Sequence, residues 1–316
     1  MTQYHLLSKP LGTVNRYVIM CEDGWELEVL AGWGGGLNAW RYILDETRVD
    51  LLFGYRNEGE FWETQADTSA GERLAPWPGR TNNAEWEWNG NHYKLDNNVT
   101  WAKHALHGLL HTKEWKFNSF TSNENEAILT LDCDWTGNHK GFPFPFYTQT
   151  EYAFRSTEFT ITSYTMNTGS EPMPYAEGWH PYFMLGGRVN DAFLELPECE
   201  KVLVDETDIP TGARAPETRF TGKAQLGTAF INDCFALKNP AKVSTVTLTS
   251  EVGQLSISQN SGEGEFRYVQ VYTPGDRQSL AIEPMTAEPD VLNHHRDLRV
   301  IKPGEIIKLS WSAKFR

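Results

Sequence analysis

One histidine, His180, lies in the aromatic run AEGWHPYFML at residues 176–185, between Trp179 and Pro181. Imidazole titrates near neutral pH, so a site that must donate and then recover a proton in the cell would use one. The position equally fits a core histidine whose ring is hydrogen-bonded to a backbone carbonyl. From this run alone, both interpretations stay open.

A glutamate, Glu283, directly follows the apolar residues 280–282 and precedes Pro284. We therefore expect a strand that ends at Glu283 and presents its carboxylate at a cleft. A carboxylate between aromatic walls is a candidate general base with a raised pKa, and the alternative is a surface glutamate at a strand end. We expect Glu288 and Asp290, which follow closely, to face solvent.

Two further motifs carry a weaker signal. Residues 32–38, GWGGGLN, lack the Gly-Lys-Ser/Thr ending of a phosphate loop, so turn or bulge glycines are the better interpretation. His104, His107 and His111 have a spacing that would bring two imidazoles to one metal on a helix. Gly108 weakens such a helix and no nearby ligand completes a set, so we expect no metal here.

Composition limits the classes of partner. The 316 residues include 42 acidic and 28 basic side chains, a net charge of −14, which disfavours nucleic acid and anionic membrane surfaces as partners. A neutral or cationic small molecule fits this charge better. No apolar run is long enough to cross a bilayer and no leader begins the chain, so we expect a cytoplasmic protein.

Alternation of apolar and polar residues recurs along the chain and predicts an all-β protein without any amphipathic helix of three turns. Aromatic residues make up 13% of the sequence, with 12 tryptophans, which suits both strands and sugar binding. A tight hairpin is expected at 85–95, turning at Asn89-Gly90. The other predicted strands are Trp25–Leu30, 127–133, 147–154, 159–166, 243–248, 255–257, Tyr268–Tyr272, 279–282 and Ile306–Phe315.

Several of these motifs occur together in one known family. The chain resembles the aldose 1-epimerase, or galactose mutarotase-like, family from about Gly79 to Asn293. The matching pieces, in the family's order, are Gly79-Arg80 with Asn82, the hairpin from Trp86 to Leu95, His107-Gly108, His180-Pro-Tyr-Phe, and Glu283-Pro284 leading to Pro289-Asp290 and Asn293.

The resemblance implies a fold, an activity and residue roles. It implies a large antiparallel β-sandwich, a galactose mutarotase-like supersandwich formed by residues 1–316 as a single domain, that interconverts the α and β anomers of free aldoses without a cofactor. Glu283 matches the general base that takes the proton of the C1 hydroxyl. His180 matches the general acid that protonates the ring oxygen. Two roles concern substrate binding: His107 matches a histidine near the ring oxygen, and Asn82 matches a binding asparagine. Arg80 and Tyr182, within the matching motifs, are further binding candidates.

Two positions depart from the family pattern. The binding asparagine is commonly followed by an arginine, but Asn83 stands there, which puts the substrate preference in doubt. A sugar-binding aspartate expected a few residues before Phe235 corresponds to Asp233, or to Asn232 if the register differs. These changes indicate a divergent branch of the family.

The sequence leaves three functions open. The first is a mutarotase that acts on a free monosaccharide. The second is a non-catalytic carbohydrate-binding or regulatory protein, which the missing arginine motivates. The third is a hexose-phosphate epimerase, for which Arg80, Lys103 and Lys113 would have to form a phosphate pocket. In each case we expect a monomer or a homodimer.

Overall fold

The structure is a computed structural model that describes residues 3–44 and 46–316. Within these residues, the N-terminal part is a five-stranded antiparallel sheet in which each strand pairs with the next one along the chain. The strands are β1 (Tyr4–Ser8), β2 (Tyr17–Cys21), β3 (Trp25–Leu30), β4 (Gly36–Leu44) and β5 (Thr47–Asp50). In β3, Leu27 and Val29 lie fully buried, as alternation predicts for one face of a strand.

A helix and five short strands follow this sheet. They are α1 (Glu58–Thr68), β6 (Arg73–Leu74), β7 (Arg80–Thr81), β8 (Glu85–Trp88), β9 (Asn91–Lys94) and β10 (Ala105–Leu106). β8 and β9 form the expected hairpin, and Asn89 and Gly90 take φ values of 50° and 78° at its turn. The ring of Trp86 stacks on that of Tyr93 across the hairpin, with centroids 4.7 Å apart.

The rest of the chain contributes most of the strands. The first group is β11 (Lys116–Ser122), β12 (Ala127–Trp135), β13 (Phe146–Phe154), β14 (Glu158–Asn167), β15 (Met173–Tyr175), β16 (Gly178–Trp179), β17 (Tyr182–Phe183), β18 (Phe193–Glu195), β19 (Cys199–Val204), β20 (Pro210–Pro216) and β21 (Ala224–Gln225). The second is β22 (Asn232–Leu237), β23 (Val243–Thr249), β24 (Gln254–Asn260), β25 (Tyr268–Tyr272), β26 (Leu280–Met285), a single helical turn α2 (Val291–His294), β27 (Arg299–Ile301) and β28 (Ile306–Phe315).

Two large antiparallel sheets form the sandwich. One has the strand order β11-β12-β13-β14-β28-β24-β23-β18-β21, and the other β20-β19-β22-β25-β26-β16-β6, with β17 also paired to β26. Side chains from their inner faces meet, as where the rings of Trp179 and Trp311 approach to 5.9 Å. The second sheet positions the candidate active site.

A buried ion pair lies between the two sheets. Arg73 Nη2 is 2.7 Å from Glu177 Oε2, and neither side chain has any exposure to solvent. The arginine also donates to Thr148 and Thr150 of the facing sheet. Hydrogen bonds to the remaining groups help to offset the cost of burying such a pair: Glu177 also accepts from Ser163, whereas Arg73 Nε has no partner among the described residues.

The all-β prediction is confirmed, and the strands at Trp25–Leu30, Tyr268–Tyr272 and Ile306–Phe315 have the predicted bounds. The predicted strands at 147–154 and 159–166 correspond to β13 and β14, which pair with each other as a hairpin. Strong period-two patterns of this length leave little freedom of assignment.

The sequence shows no amphipathic helix of three turns, and α1, a helix of 11 residues, was therefore not predicted. Only Phe61 of this helix is fully buried, so the helix lacks the apolar stripe that periodicity detects. Side-chain hydrogen bonds mark its start: the N-cap residue Asn57 accepts from the Glu60 N–H, and the Glu60 carboxylate accepts from the N–H of Arg56, the residue before the N-cap. Among the described residues, no helix has the length and apolarity to cross a membrane.

Candidate active site

A cavity of about 480 Å³ opens beside the sheet that contains β25 and β26. Its walls come from the turn before β4, the C-terminal end of α1, the segments on either side of β10, and strands of the second sheet. The lining residues are Trp33, Gln65, Ala66, Asp67, Thr68, Ser69, Glu72, Gly79, Arg80, Asn98, Val99, Trp101, Leu106, His107, His111, Thr112, His180, Tyr182, Asn232, Gln270, Tyr272, Glu283, Met285 and Pro289. Aromatic walls with converging polar groups are typical of a small-molecule site.

Strand pairing aligns four polar residues in one row, which we call the polar row: Glu72, His180, Glu283 and Gln270. Gly178 lies opposite Met285 and Tyr182 opposite Ala281, so His180 falls opposite Glu283. Trp179 lies opposite Arg73, which places His180 next to Glu72, and the His180 N–H donates to the Glu72 carbonyl. Gln270 lies opposite Glu283 on the other side.

The two central members of the polar row are in contact. His180 Nε2 lies 3.4 Å from Glu283 Oε1, and both side chains are more than nine-tenths buried. Tyr182 stacks on the His180 ring at 4.8 Å and an angle of 19° between planes. The Tyr182 hydroxyl donates to the Thr68 carbonyl, which holds the phenol against the imidazole. The structure thus brings the two predicted catalytic residues together at the cavity.

Burial shifts the protonation of both groups. It lowers the pKa of His180 to about 4 and raises the pKa of Glu283 to about 8, because the charged form of each loses its hydration. The positive charge of Arg80 opposes part of the rise at Glu283. Burial therefore favours the neutral form of the pair, a carboxylic acid beside a neutral imidazole. One proton belongs to the pair over the interval between these two pKa values.

A second imidazole lines the cavity beside this pair. The His107 ring meets that of His180 edge to face, with centroids 5.4 Å apart. Burial, followed by the charge of a protonated His180, holds the pKa of His107 well below its usual value. A neutral imidazole both donates and accepts a hydrogen bond, and Nδ1 of His107 has no partner within the described residues. Because Nδ1 is enclosed by protein, a ligand hydroxyl would reach this ring, which lines the cavity, at its other nitrogen, Nε2.

Arg80 also lines the cavity, where its charge is partly compensated. Its Nη2 lies 2.8 Å from Asp208 Oδ2, and its guanidinium packs over Trp101 at 5.7 Å from the ring centroid. The cavity therefore has a guanidinium group, although Asn83 stands where the family pattern predicted an arginine. Lys103 and Lys113 do not line the cavity, so the structure does not assemble the phosphate pocket considered from the sequence.

Alternation along β22 separates the two candidates Asn232 and Asp233. Asn232 lines the cavity and its side-chain oxygen accepts from Gln270, with a nitrogen to oxygen distance of 2.9 Å. Asp233 does not line the cavity, and its carboxylate forms an ion pair with Lys201 at 2.7 Å. Successive side chains of a strand point to opposite faces, so only one of the two can reach the site.

Asn82, a predicted binding residue, is not brought into the cavity. It begins a 3-10 turn, Asn82–Ala84, and its N–H donates to the Asp290 carboxylate. The expectation that Asp290 and Glu288 face solvent was wrong, since they are 8% and 1% exposed. Glu288 forms ion pairs with two arginines, which offset the cost of burying its charge.

The strand that carries Glu283 does not end there. The sequence predicted that the strand ends at Glu283. Instead, β26 continues through Pro284 to Met285, so the carboxylate lies within the strand and not at its tip. Within a strand, the position of Glu283 is fixed more firmly than it would be at a strand end. Partners flank it on both sides, with Gln270 on β25 and His180 in the segment between β16 and β17.

Glu72 and Trp33 are among the cavity residues that the sequence did not identify as site residues. The Trp33 Nε1–H donates to Glu72 Oε1 at 3.0 Å. The available signal was two charged residues, Glu72 and Arg73, enclosed by small and apolar residues, which is unusual for a surface strand. No group of three or more metal ligands is clustered among the described residues.

Comparison with known proteins relates the chain to one family. The family model described as aldose 1-epimerase matches residues 23–314. The uncharacterized protein YihR of Escherichia coli K12 is 29% identical over 242 residues, which cover 74% of this chain and 75% of that protein. A galactose mutarotase-like protein from Clostridium acetobutylicum shares the fold, with a TM-score of 0.83, 16% identity, and 100% and 98% of the two chains covered. Galactose 1-epimerase from Lactobacillus acidophilus also shares the fold, with a TM-score of 0.79 and 15% identity, and the match covers 100% of this chain and 98% of that protein.

Proposed function

The chain belongs to the aldose 1-epimerase family, and we propose that it is a mutarotase, an isomerase that interconverts the α and β anomers of a free monosaccharide. The observation that supports this most directly is the contact of 3.4 Å between His180 Nε2 and Glu283 Oε1 at the cavity. The two oxygens that must exchange protons in the reaction are bonded to the same carbon, C1. A base and an acid side by side can therefore serve both.

In the proposed reaction, Glu283 accepts the proton of the C1 hydroxyl while His180 donates a proton to the ring oxygen. The bond between C1 and the ring oxygen breaks, C1 becomes an aldehyde carbon, and the ring oxygen becomes a hydroxyl. Rotation about the bond between C1 and C2 and reversal of the proton transfers close the ring to the other anomer. No cofactor and no activated water enter this sequence, in contrast to glycosidases.

The shifted pKa values suit this exchange. Ring opening converts a carboxylate and an imidazolium into a carboxylic acid and a neutral imidazole, which is the form that burial favours. Ring closure restores the charged form. Because the pair holds one proton throughout, the enzyme returns to its starting state after each turnover without exchanging a proton with solvent.

Other cavity residues have binding roles in this proposal. His107, kept neutral by burial, would hold the sugar near its ring oxygen. Arg80 would donate to a sugar hydroxyl from the opposite wall, and Asn232 replaces Asp233 as the binding candidate on β22. Arg80 is already paired with Asp208, and Asp67 and Glu72 also line the cavity, so these charges favour a neutral sugar over a hexose phosphate.

The test is anomer exchange, followed by polarimetry or proton NMR from freshly dissolved α-glucose and α-galactose. The purified protein should accelerate exchange of at least one aldose above the buffer rate. The His180→Asn variant should lose this acceleration while its circular dichroism and melting temperature stay close to those of the wild type. Binding of sugars by calorimetry without accelerated exchange would instead identify a carbohydrate-binding protein. Glucose 6-phosphate serves as the comparison substrate and should react more slowly than glucose.

A further inference from the structure

The buried carboxylates of this protein differ in how many ion-pair and hydrogen-bond partners they have. Within residues 3–44 and 46–316, Glu28, Glu177 and Glu288 each form an ion pair with at least one arginine. Glu283 has His180 beside it. Glu72 is 2% exposed, yet no arginine, lysine or histidine of the described chain pairs with it.

The carboxylate of Glu72 has one hydrogen-bond donor, the Nε1–H of Trp33. A carboxylate offers about four acceptor positions on its two oxygens, so most of its capacity is unused. Burying an ion with unused acceptors costs free energy, and natural structures rarely leave one in this state. Because Glu72 lines the cavity, its unused acceptor positions are available to hydrogen-bond donors of a molecule that binds there.

The position of Glu72 shows what would supply them. Glu72 stands at the end of the polar row, beside His180 and two strands away from Glu283. It lines the same cavity as these two residues. A ligand whose C1 lies at the His180–Glu283 pair would place other atoms of its ring near Glu72, and in an aldose these ring atoms carry hydroxyl groups.

On the basis of the proposed function, we propose that Glu72 is a substrate-binding residue that accepts hydrogen bonds from ring hydroxyls of a neutral aldose and so determines which monosaccharides are used. Hydrogen bonds from hydroxyls to a carboxylate are short and strong, and a site built to accept them rejects an analogue that lacks the hydroxyl. The preferred substrate has free hydroxyls at the carbons facing Glu72, and a sugar deoxygenated there is a poor substrate.

The glycines of residues 32–38 explain how Trp33 reaches Glu72. Gly34 has a φ of +64°, and a Cβ at this position would lie 2.7 Å from the His111 Cα. The Trp33 N–H donates to the Leu30 carbonyl, and the Gly36 N–H donates to the Trp33 carbonyl, which closes two successive turns. This tight loop presses against the segment after β10 and presents the indole N–H to the carboxylate.

A purely structural role for Glu72 makes different predictions. Because Glu72 is the neighbour of His180, its loss could displace the imidazole and slow proton transfer for every sugar alike. The substrate-binding role instead predicts a loss of kcat/KM that depends on the substrate and comes mainly from a higher KM. Comparing one variant across a series of sugars distinguishes the two.

The experiment measures kcat and KM for Glu72→Gln and wild type with the best substrate and its 2-, 3-, 4- and 6-deoxy analogues. Glutamine keeps the size of the side chain but loses the charge and one acceptor oxygen. For the parent sugar, Glu72→Gln should raise KM about 10–100-fold with little change in kcat. For at least one deoxy analogue the wild type should already show this loss, and the variant should add less than about twofold, because the hydroxyl partner is gone.

Two further variants complete the design. Glu63→Gln, on the exposed face of α1, is the matched control and should leave all constants unchanged. Trp33→Phe removes the indole N–H that orients the carboxylate, so this single substitution should raise KM. In the double variant with Glu72→Gln it should raise KM little further. This second route tests the proposal even if Glu72→Gln folds poorly.

Specific outcomes would overturn the proposal. Equal losses of Glu72→Gln across the whole deoxy series, or a fall in kcat with a displaced pH profile, would make Glu72 a positioning residue for His180. Failure of the proposed function looks different, because the wild type would then accelerate no anomer exchange. In that case the same sugars and variants are compared by calorimetric Kd, and the substrate-dependent loss at Glu72 is still required.

Discussion

Two buried glutamates of the same sheet region have opposite surroundings. Glu177 lies between the sheets, where it accepts hydrogen bonds from Arg73, Tyr175 and other donors. Glu283 lies at the cavity, where His180 is the one basic side chain of the described residues within 4 Å of its carboxylate, and burial raises its pKa to about 8. Satisfying a carboxylate produces a stable core, whereas leaving it unsatisfied beside an imidazole produces a group that can exchange a proton.

The largest effect is expected from removing the carboxylate that we propose as the general base. Glu283→Gln keeps the shape of the side chain but cannot accept the proton of the C1 hydroxyl, so anomer exchange should fall by about 10²–10⁴-fold. The measurement is the NMR exchange rate at saturating sugar, with sugar affinity from calorimetry as a control. Full activity of this variant would remove Glu283 from the mechanism.

The matched change at the satisfied carboxylate should act on stability. Glu177→Gln leaves the fully buried Arg73 without its counterion, which should cost about 3–5 kcal/mol of unfolding free energy. Denaturant titration measures this loss. The double variant Arg73→Met/Glu177→Leu should recover part of it, since both charges are then absent, whereas no recovery would show that the neutral hydrogen bonds of this region dominate.

The titration of the reactive pair predicts the dependence of activity on pH. The pair holds one proton between a pKa of about 4, where His180 loses its proton, and about 8, where Glu283 loses its own. The ratio kcat/KM should therefore be nearly constant within this interval and fall on both sides. A profile with a single limb near pH 6.5, the ordinary value for histidine, would contradict the shifted pKa values of this buried pair.

The smallest effect concerns the stability cost of Glu283 itself. Because its pKa is raised in the folded state, the folded protein binds more protons than the unfolded chain between about pH 4.5 and pH 8, and its stability falls as the pH rises through this range. Glu283→Gln does not titrate. Its melting temperature should therefore exceed that of the wild type by a few degrees at pH 8 and converge with it near pH 4.5. A difference that is independent of pH would argue against the raised pKa.

Much of the fold could be predicted from local patterns. Alternation of residue types predicted β3, β25 and β28, although both faces of β3 are buried from Leu27 onward, and Asn89-Gly90 predicted a hairpin turn. Helix α1 was not predicted because it buries little apolar surface and so shows no helical hydrophobic pattern. The N-cap asparagine, Asn57, followed three residues later by Glu60, was the local signal of its start.

The site could be predicted only in part, because its geometry depends on pairing between distant strands. His180 and Glu283 carry local signals, a histidine within an aromatic run and a carboxylate within an apolar one. Glu72 carries only the weaker signal of a charged residue among small and apolar ones, and its position in the site depends on pairing with His180, more than a hundred positions away. Asn82 fitted the family pattern, yet its turn directs its N–H to Asp290.

The alignment of the polar row also determines which kinds of sequence change this protein can tolerate. A substitution in β26 alters one side chain, but insertion or deletion of one residue between Leu280 and Glu283 would turn the carboxylate to the opposite face of the sheet. Variation in the length of this segment should therefore be absent from active relatives. Libraries built to change the sugar preference should vary side chains within the strands and lengths only in the loops.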